Sequence, residues 1–373
     1  MRPRVLQLLS CDDWGGTEVQ VTRFVEHADP ERSIQHVATL ETAGVLTAEL
    51  ARIGVPVASL AGAFGPLGTV WRLVRILRRW QIDLVEVYGF RAGIIARPAV
   101  LLGGRPRLLV GIRGAHLVDG PPDARRARFA LGIERLLSPM VTRYVANSVG
   151  ARTLLRMHGF PARKLTVIPN GVELPVLRSD PTPGQPTRIV CVARFTPTKR
   201  HDVVIAALGL LRDRDLDVHF TLVGDGDVMA EARELVVSLG LTACVTFTGA
   251  LPPERVAEEL AKADVFVLAS MTEGMPGSVL EAMAAGLPVV ATDVAGTREL
   301  VEHERTGLLV RPGDARQLAE AIAWVAGDAA LSQQLGAAGR QVVEEKYSVG
   351  RLAEQRTALY EDILRHSTRK QRE

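Results

Sequence analysis

Val265-Phe-Val-Leu-Ala269-Ser270-Met-Thr-Glu273-Gly274-Met275-Pro276-Gly277-Ser278-Val-Leu-Glu281-Ala-Met-Ala284 is a stretch that reads as a strand, a turn and a helix. The first five residues are an apolar run of strand type, Pro276 and Gly277 indicate a turn, and the apolar spacing after Ser278 predicts a helix. We therefore expect Glu273 in the loop and Glu281 in the first turn of the helix. Such units are typical of parallel sheets that are covered by helices.

The start of this predicted helix is suited to a phosphate group. Its first backbone N–H groups lack partners within the helix, and the helix dipole places partial positive charge there. Carboxylates at the same place are positioned to accept hydroxyl groups of a sugar or a ribose. The alternative is that Glu281 only complements the dipole and that Glu273 is a solvated loop residue. This segment by itself leaves both interpretations open.

The composition is that of an ordinary globular protein. The chain has 373 residues, of which 47% are hydrophobic and 23% are charged, and this length favours two domains. The net charge of +3 is too small to indicate nucleic acid as a partner. Arginine outnumbers lysine 40 to 5, which we attribute to genome composition.

The cysteines and the apolar runs indicate the cellular compartment that we expect. Cys11, Cys191 and Cys244 are far apart in the sequence, so they predict neither a disulfide framework nor a zinc site. The first apolar run, Val5-Leu9, is too short for a secretory signal, and no run approaches the roughly 20 residues of a membrane span. We therefore expect a cytoplasmic protein.

Short apolar runs alternate with helical segments along the whole chain. The runs of the first half are Val5-Leu9, Ile34-Leu40, Val55-Leu60, Leu84-Tyr88, Leu108-Ile112, Tyr144-Ala146 and Leu165-Ile168. Those of the second half are Ile189-Ala193, Val218-Val223, Val245-Thr248, Val265-Ala269, Pro288-Ala291 and Gly307-Val310. Strands alternating with helices predict parallel sheets. The expected fold is α/β, with two doubly wound, Rossmann-like domains that face each other across a cleft.

A proline-rich stretch separates the two halves. We expect an N-terminal domain at 1–175, a linker at 176–187, a C-terminal domain at 188–350, and a final helix with a charged tail at 351–373. Ligands of such sheets bind beyond the carboxyl ends of the strands. The turns after Leu9, Ile112, Val192, Val223 and Ala269 should therefore line the cleft.

Two turns of the second half carry candidate ligand-binding residues. Arg194 and Lys199 follow a strand, where a guanidinium and an ammonium are suited to a diphosphate; a solvated basic loop is the alternative. The run Val223-Gly224-Asp225-Gly226-Asp227 offers two glycines that permit approach to a nucleotide, although a lone Gly-x-Gly is a weak signal. Its Asp-x-Asp spacing occurs at metal sites but is also common in strand-to-helix turns, and we expect no metal.

Three features of the first half are further candidates. Gly15 and Gly16 follow the first strand and permit close approach of a ligand to the backbone, with a tight turn as the alternative. His116 lies just past another strand, near the same cleft, or is merely structural. From Trp71 to Trp80 the sequence predicts an arginine-rich amphipathic helix. That helix suits a membrane surface or, as we favour, packing of its apolar face on the sheet.

Together and in this order, the motifs resemble those of the family-4 retaining glycosyltransferases of GT-B fold, the glycosyl transferases of group 1. The segments that carry the resemblance cover most of the chain: Gly15-Gly16-Thr17-Glu18, Asn147-Ser148, Ile168-Pro-Asn170-Gly171-Val172, Arg194 with Lys199, Gly224-Asp-Gly226, Glu273 to Glu281, Ala285-Gly286-Leu-Pro288-Val-Val, and Gly307-Leu-Leu-Val-Arg-Pro312-Gly.

The resemblance implies a C-terminal domain that binds a nucleotide-diphosphate sugar, with UDP or GDP, and an N-terminal domain that binds a saccharide or lipid-linked acceptor. By position, it implies that Arg194 and Lys199 hold the diphosphate, Glu281 the ribose and Glu273 the donor sugar. These contacts and the family's cleft histidine, which His116 resembles, form the implied catalytic group: Glu273, Lys199, Arg194 and His116. Further donor contacts are implied for Gly15, Gly16, Gly224, Leu251, Gly274, Met275, Pro276, Gly277 and Ser278.

The resemblance also implies the setting of the reaction. The nucleotide sugar is a co-substrate and no cofactor is implied. The final helix of such proteins returns to the N-terminal domain. Synthesis of a cell-envelope glycan or an exopolysaccharide is the expected role, in the cytoplasm or peripherally on the inner face of the plasma membrane through Trp71 to Trp80.

The chemistry of the implied reaction agrees with these residues. Sugar transfer develops negative charge on the departing phosphate, so fixed cations and N–H donors there are the main requirement, and no metal is needed if Arg194 and Lys199 supply them. If the ribose occupies Glu281, that residue cannot serve as the nucleophile of a double displacement. Front-face attack with retention is therefore the favoured hypothesis.

Two other interpretations of the sequence stay open. A nucleotide-sugar epimerase shares the two-sheet architecture, and a catalytically silent subunit can keep the fold without activity. A nicotinamide dehydrogenase is disfavoured because no full glycine fingerprint follows a strand.

Overall fold

The chain folds into two compact α/β units. The computed structural model describes residues 2–11, 15–62, 65–113, 124–175, 186–214 and 216–370, except for the side chains of 124–128 and 366–370. Unit 1 consists of Met1–Gly171 with Val349–Glu373, and unit 2 consists of Val172–Ser348.

Within the described ranges, each unit has one sheet in which every pairing is parallel. The strands of unit 1 are β1 (Arg4–Leu9), β2 (Ile34–Thr39), β3 (Val57–Ser59), β4 (Leu84–Tyr88), β5 (Arg107–Ile112), β6 (Arg143–Ala146) and β7 (Leu165–Val167). Those of unit 2 are β8 (Thr187–Val192), β9 (Val218–Val223), β10 (Val245–Gly249), β11 (Val265–Leu268), β12 (Val289–Thr292) and β13 (Leu308–Val310). Their orders are β3-β2-β1-β4-β5-β6-β7 and β10-β9-β8-β11-β12-β13.

Helices connect the strands. In unit 1, before residue 172, they are α1 (Gly16–His27), α2 (Val45–Arg52), α3 (Gly65–Arg79), α4 (Phe90–Leu102), α5 (Ala124–Leu136) and α6 (Val149–Met157). In unit 2 they are α7 (His201–Arg212), α8 (Met229–Ser238), α9 (Pro253–Lys262), α10 (Gly277–Ala284), α11 (Ala295–Arg298), α12 (Ala315–Gly327) and α13 (Ala329–Lys346). The final helix, α14 (Val349–Lys370), belongs to unit 1.

Both faces of each sheet are covered, which explains the continuous apolar runs of the strands. In β1, Leu6 and Leu8 join one apolar cluster while Val5 and Leu9 join another, because successive side chains point to opposite faces. Unit 2 repeats this arrangement: Ile189 and Val190 of β8 belong to different clusters. The prediction of doubly wound parallel sheets is confirmed, and the predicted runs differ from the observed strands by no more than two residues at either end.

A buried polar network attaches α14 to the sheet of unit 1. Arg356 of α14 donates to Glu86 of β4 at 3.1 Å and also to the hydroxyl of Tyr88. Tyr360, one turn further on, donates to the same Glu86 oxygen at 2.5 Å. Gln7 of β1 completes the network, since it accepts from Tyr88 at 3.0 Å and donates to Tyr360 at 3.1 Å. All five side chains are buried, and these hydrogen bonds partner them with one another, while Oε1 of Glu86 and the Nε and Nη2 atoms of Arg356 have no hydrogen-bond partner among the described residues.

The backbone at Gly171, in the motif Ile168-Pro-Asn170-Gly171-Val172, packs closely against α14. The Gln20 side chain of α1 donates to the Gly171 carbonyl and accepts from its N–H, each at 2.8 Å. A Cβ atom on Gly171 would lie 2.8 Å from the Cβ of Leu352. A glycine is therefore needed here to let the chain pass close to the final helix.

The predicted basic helix corresponds to α3. Leu73, Val74 and Leu77 are buried in the core of unit 1, as expected for a helix that packs on the sheet. Trp80, just past its end, packs against the same core and lies 5.0 Å from the ring of His36. Trp71 points outward with 60% of its surface exposed. Among the helices of the described part, none is long and apolar enough to cross a membrane.

Candidate active site

Lys199 and Glu273 follow adjacent strands at the point where the strand order of unit 2 reverses. The chain proceeds from β8 to β9 and β10 on one side, then returns to place β11 on the other side of β8. The loops after β8 and β11 therefore leave the carboxyl edge of the sheet side by side. Doubly wound sheets bind their ligands at this topological switch point.

The two side chains form an ion pair. The Lys199 ammonium donates to the Oε1 atom of Glu273, and the buried Ser270 hydroxyl donates to the same oxygen at 2.6 Å. The side chains of Lys199 and Glu273 are 23% and 9% exposed, so both lie in a mostly desolvated place. An ion pair of this kind is stronger than one in open solvent, and its partners are held in a defined geometry.

The backbone around Glu273 is fixed from two sides. The Met271 N–H donates to the Thr198 carbonyl at 2.8 Å, which joins the loop after β11 to the loop after β8. The Thr292 hydroxyl donates to the Ser270 carbonyl at 2.5 Å. Gly296, in α11, lies so close that a Cβ atom there would be 2.6 Å from the Glu273 carbonyl oxygen.

Ser270 and Gly296 were not among the residues predicted for the site. Ser270 stands directly before the loop, but the sequence does not say which way its hydroxyl points. Gly296 is 23 residues after Glu273 in the chain, and only the packing of α11 brings it under the loop.

Arg194 lies in the loop that leads from β8 towards Lys199. Its side chain is exposed and, within the described ranges, forms no side-chain hydrogen bond. The neighbouring Phe195 is buried and its N–H donates to the Asp225 carbonyl at 2.9 Å, so the loop itself is anchored. The guanidinium is therefore carried on a fixed backbone and is accessible to a ligand.

The Gly224-Asp-Gly226 turn supports this loop. A Cβ atom on Gly224 would lie 2.1 Å from the Ala193 carbonyl oxygen, and one on Gly226 would lie 2.5 Å from that of Phe195. Both glycines also have positive φ angles, of 138° and 150°. The contacts of both glycines with the Arg194 loop therefore account for their presence without a nucleotide. Asp225 accepts from the Gly226 N–H at 2.7 Å, and no group of three metal-ligating side chains occurs in the described part of the chain.

Helix α10 begins beside the Glu273 loop. It starts at Gly277, after the buried Pro276, which has no side chain to cap the N–H groups of the first turn. Glu281 is the fifth residue of the helix, so the prediction that it lies in the first turn was wrong. The helix starts one residue earlier than the apolar spacing indicated, because Gly277 has no side chain to extend that spacing; Pro276, with an extended backbone, is the residue before the helix. Residues four apart share a face of a helix, so Glu281 lies on the same face of α10 as Gly277, about one turn further along.

Several predicted donor contacts have apolar side chains. Met275 is buried in the core of unit 2 and Leu251, after β10, packs against the same cluster. Only the backbone of Met275 can therefore approach a ligand without disturbing the core. Gly274 and Ser278 are partly exposed on either side of it.

Comparison with known proteins identifies the family. The family described as Glycosyltransferase Family 4 matches residues 14–175, and the one described as Glycosyl transferases group 1 matches residues 186–328. A GDP-mannose-dependent alpha-(1-6)-phosphatidylinositol monomannoside mannosyltransferase of Mycobacterium tuberculosis is 32% identical over 301 residues, 76% of each chain. The chain belongs to glycosyltransferase family 4.

Other members match more locally or more distantly. The amylovoran biosynthesis glycosyltransferase AmsK of Erwinia amylovora is 37% identical over 169 residues, which are 43% of this chain and only 42% of AmsK. A 2-deoxystreptamine glucosyltransferase of Streptomyces kanamyceticus is 28% identical over 320 residues, 78% of this chain and 80% of its own.

Solved structures of glycosyltransferases share the fold. Anabaena HepE, in complex with UDP and glucose, superimposes with a TM-score of 0.85 at 22% identity, over 97% of this chain and 100% of that one. Sucrose-phosphate synthase of Thermosynechococcus elongatus gives a TM-score of 0.84 at 22% identity, over 98% and 100%. The GT-B fold expected from the sequence is thereby confirmed.

The predicted residues of the first half belong to unit 1. Gly15 precedes α1, and a Cβ atom on it would lie 2.4 Å from the buried carboxylate of Glu18, so this glycine makes room for Glu18. Gly16, at the first position of α1, has open space around its Cα within the described part. A role of Gly16 in binding stays a prediction, and His116 lies outside the described residues.

His201, two residues after Lys199, is buried at the start of α7 and stacks on Phe195 at 3.8 Å. Burial and the nearby Lys199 charge lower the pKa of His201 from 6.5 to about 4, outweighing the opposite effects of Asp202 and the Ala193 backbone. The folded protein therefore holds His201 neutral at neutral pH.

This shift predicts acid sensitivity. The unfolded chain binds the proton first, so stability conferred by neutral His201 is present above pH 6.5 and is lost as the pH falls towards 4, by up to about 3 kcal/mol. We expect His201→Phe, which keeps the stacking, to lose less stability than the wild type between pH 7 and pH 4.5 in urea unfolding. Other acidic groups titrate in both proteins, so their effect on stability is the same in each. Equal losses of stability in the variant and the wild type would therefore contradict a contribution of His201.

Proposed function

We propose that the protein transfers a sugar from a nucleotide-diphosphate sugar, with UDP or GDP, to a hydroxyl group of a saccharide or lipid-linked acceptor. The observation that carries this proposal is the Lys199–Glu273 pair, at the switch point of the sheet and beside the start of α10. The names of relatives support the substrate class, since one is GDP-mannose-dependent and another acts in amylovoran biosynthesis. Cell-envelope or exopolysaccharide synthesis is the role that agrees with these names.

The cations of the loop after β8 are suited to the leaving group. Cleavage of the bond between sugar and diphosphate leaves negative charge on phosphate, which Lys199 and the accessible Arg194 would stabilise. The N–H groups at the start of α10 add donors and a partial positive charge at the same place. With these groups in place, we expect the reaction to proceed without a metal or another cofactor.

The two glutamates have separate roles in this proposal. Glu273 accepts hydroxyl groups of the donor sugar, and Glu281, on the Gly277 face of α10, accepts those of the ribose. Between them, the backbone from Gly274 to Ser278 approaches the sugar and the phosphate. Because Glu273 is already paired with Lys199, its charge is compensated and it is a poor nucleophile.

Retention by front-face attack is the mechanism we propose. The acceptor oxygen bonds to the anomeric carbon as the bond to the phosphate oxygen breaks, and the hydroxyl proton passes to that departing oxygen. NMR of the product should show the anomeric configuration of the donor. An inverted product would exclude this mechanism.

The transfer itself is tested by incubating the purified protein with UDP-glucose or GDP-mannose, with and without a lipid and oligosaccharide extract as acceptor. We expect nucleoside diphosphate to be released in step with a new glycosylated product only when acceptor is present. A change in the sugar of the donor without acceptor would instead indicate an epimerase. No turnover of either donor would favour a silent subunit.

We also propose that α3 contacts the inner surface of the plasma membrane. Leu67 and Trp71, four residues apart on its outer face, are 86% and 60% exposed. The exposed arginines of the same helix would attract anionic lipid: Arg72, Arg75, Arg78 and Arg79. This combination of apolar and cationic side chains is suited to the interface of a bilayer.

Vesicle flotation tests this contact. We expect the protein to float with vesicles that contain phosphatidylglycerol and not with pure phosphatidylcholine, and Trp71→Ala to reduce the bound fraction. Trp324→Ala is the matched control, because Trp324 is an exposed tryptophan of unit 2. Equal binding by both variants would argue against a role of α3.

A further inference from the structure

The Glu273 carboxylate is held asymmetrically. Its Oε1 atom accepts from both the Lys199 ammonium and the Ser270 hydroxyl. No hydrogen bond from any other described residue reaches its Oε2 atom. Two donors on one oxygen fix the orientation of the carboxylate plane and leave the second oxygen available as an acceptor.

Ser270 is well suited to act in this way. It is fully buried, so its hydroxyl has no competing water, and its own carbonyl accepts from Thr292 at 2.5 Å. Thr292 lies at the end of β12, next to β11 in the sheet. The hydroxyl that orients Glu273 is thus fixed to the rigid sheet and not to the loop.

Gly296 fixes the backbone of the same loop. A Cβ atom on it would lie 2.6 Å from the carbonyl oxygen and 2.7 Å from the carbonyl carbon of Glu273, and 2.8 Å from the carbonyl carbon of Gly274. These neighbours are backbone atoms, which cannot move aside by a side-chain rotation. Gly296 has no positive φ angle, so the close approach of the Glu273 loop is the reason for a glycine.

Thr297 keeps Gly296 in place. Its buried hydroxyl donates to the Val294 carbonyl at 3.0 Å and accepts from the Val294 N–H at 3.1 Å, and it also reaches the carbonyl of Thr292. These bonds attach the short helix α11 to the end of β12. The support under Glu273 therefore consists of groups fixed to the sheet.

We propose that Ser270 and Gly296 are positioning residues that set the Oε2 atom of Glu273 for a hydroxyl group of the donor sugar. This inference rests on the function proposed above. Neither residue touches the diphosphate or the ribose in that proposal. They should therefore affect affinity for the sugar part of the donor more than affinity for the nucleoside diphosphate.

Calorimetric titration of Ser270→Ala and Gly296→Ala tests this inference. The probes are UDP with UDP-glucose and GDP with GDP-mannose, and the measured quantity is the ratio of the Kd of the sugar conjugate to that of its diphosphate. The ratio should rise about tenfold in Ser270→Ala, which loses one hydrogen bond to a charged group. In Gly296→Ala, where the backbone must shift, it should rise by up to about a hundredfold.

Matched controls come from the same unit. Ser238→Ala removes an exposed hydroxyl at the end of α8, and Gly209→Ala adds a methyl group in open space on α7. Both should keep the wild-type ratio. Ser270→Ala adds no atoms, so it keeps the test decisive if Gly296→Ala does not fold.

The outcomes separate the two proposals. If the wild type binds a diphosphate and its conjugate but Ser270→Ala loses affinity for both equally, the residue is merely structural and the inference is overturned while the proposed function stands. If the wild type binds none of the four probes, the proposed function fails and the inference fails with it.

Discussion

Lys199→Ala should lower kcat/KM for sugar transfer by about 10²- to 10³-fold, the effect of removing one preorganised group that stabilises developing charge. The Lys199 ammonium is the cation that the structure holds against Glu273 in a mostly desolvated place. Its removal takes away charge where the departing phosphate becomes negative. It also leaves the Glu273 carboxylate with Ser270 as its remaining donor among the described residues.

Steady-state kinetics with saturating acceptor would measure this loss, and circular dichroism would show that the fold is intact. Lys262→Ala is the matched control, because Lys262 also pairs with a glutamate, Glu259 at 2.8 Å, but on the exposed surface of α9. We expect that variant to keep wild-type activity. Comparable activity of Lys199→Ala and Lys262→Ala would remove Lys199 from the site.

Arg356→Ala should destabilise the folded protein by about 3–5 kcal/mol, the cost of breaking a buried ion pair by removing one partner. It leaves Glu86 charged and buried, with the hydroxyl of Tyr360 as its remaining hydrogen-bond donor among the described residues. Burial raises the pKa of Tyr88 and of Tyr360, so both hydroxyls stay neutral, and neither can replace the positive charge of Arg356. The loss should be seen as a lower midpoint in urea unfolding.

Glu354→Ala, on the same helix, provides the control. Glu354 pairs with Arg32 at the surface, and exposed pairs contribute at most about 1 kcal/mol. Replacing both buried partners, as in Glu86→Leu with Arg356→Met, should recover much of the stability, because no unpaired charge remains. A single variant Arg356→Ala that unfolds at the wild-type midpoint would show that α14 is not held by this network.

The strands could be predicted because burial leaves a strong signal. In a parallel sheet covered on both faces, strands such as β11 are apolar throughout, and the chain shows this directly. The attachment of α14 could not be predicted in the same way. Glu86 and Gln7 interrupt apolar runs and so indicate buried polar partners, but nothing in the sequence names Arg356 and Tyr360, about 270 to 350 residues away, as those partners.

The sequence predicts which loops carry the candidate site, but not how their side chains pair. Arg194, Lys199 and Glu273 were placed at one edge because strands of a parallel sheet end together, and β8 and β11 are indeed neighbours. The direct pairing of Lys199 with Glu273 depends on side-chain directions that spacing does not specify. Gly224 shows another limit: its glycine indicates close approach of some group, but the sequence does not say that the Ala193 backbone is one such group.

Thermal unfolding with UDP, GDP, ADP, CMP and their common sugar conjugates would test the proposed donor site most directly. A ligand present at about 100 times its Kd adds about 2.7 kcal/mol of stability. We predict a selective rise in Tm with one diphosphate series, and a much smaller rise in Lys199→Ala at the same concentration. No rise with any of these nucleotides, in a protein that unfolds cooperatively, would contradict a nucleotide-sugar site at Lys199 and Glu273.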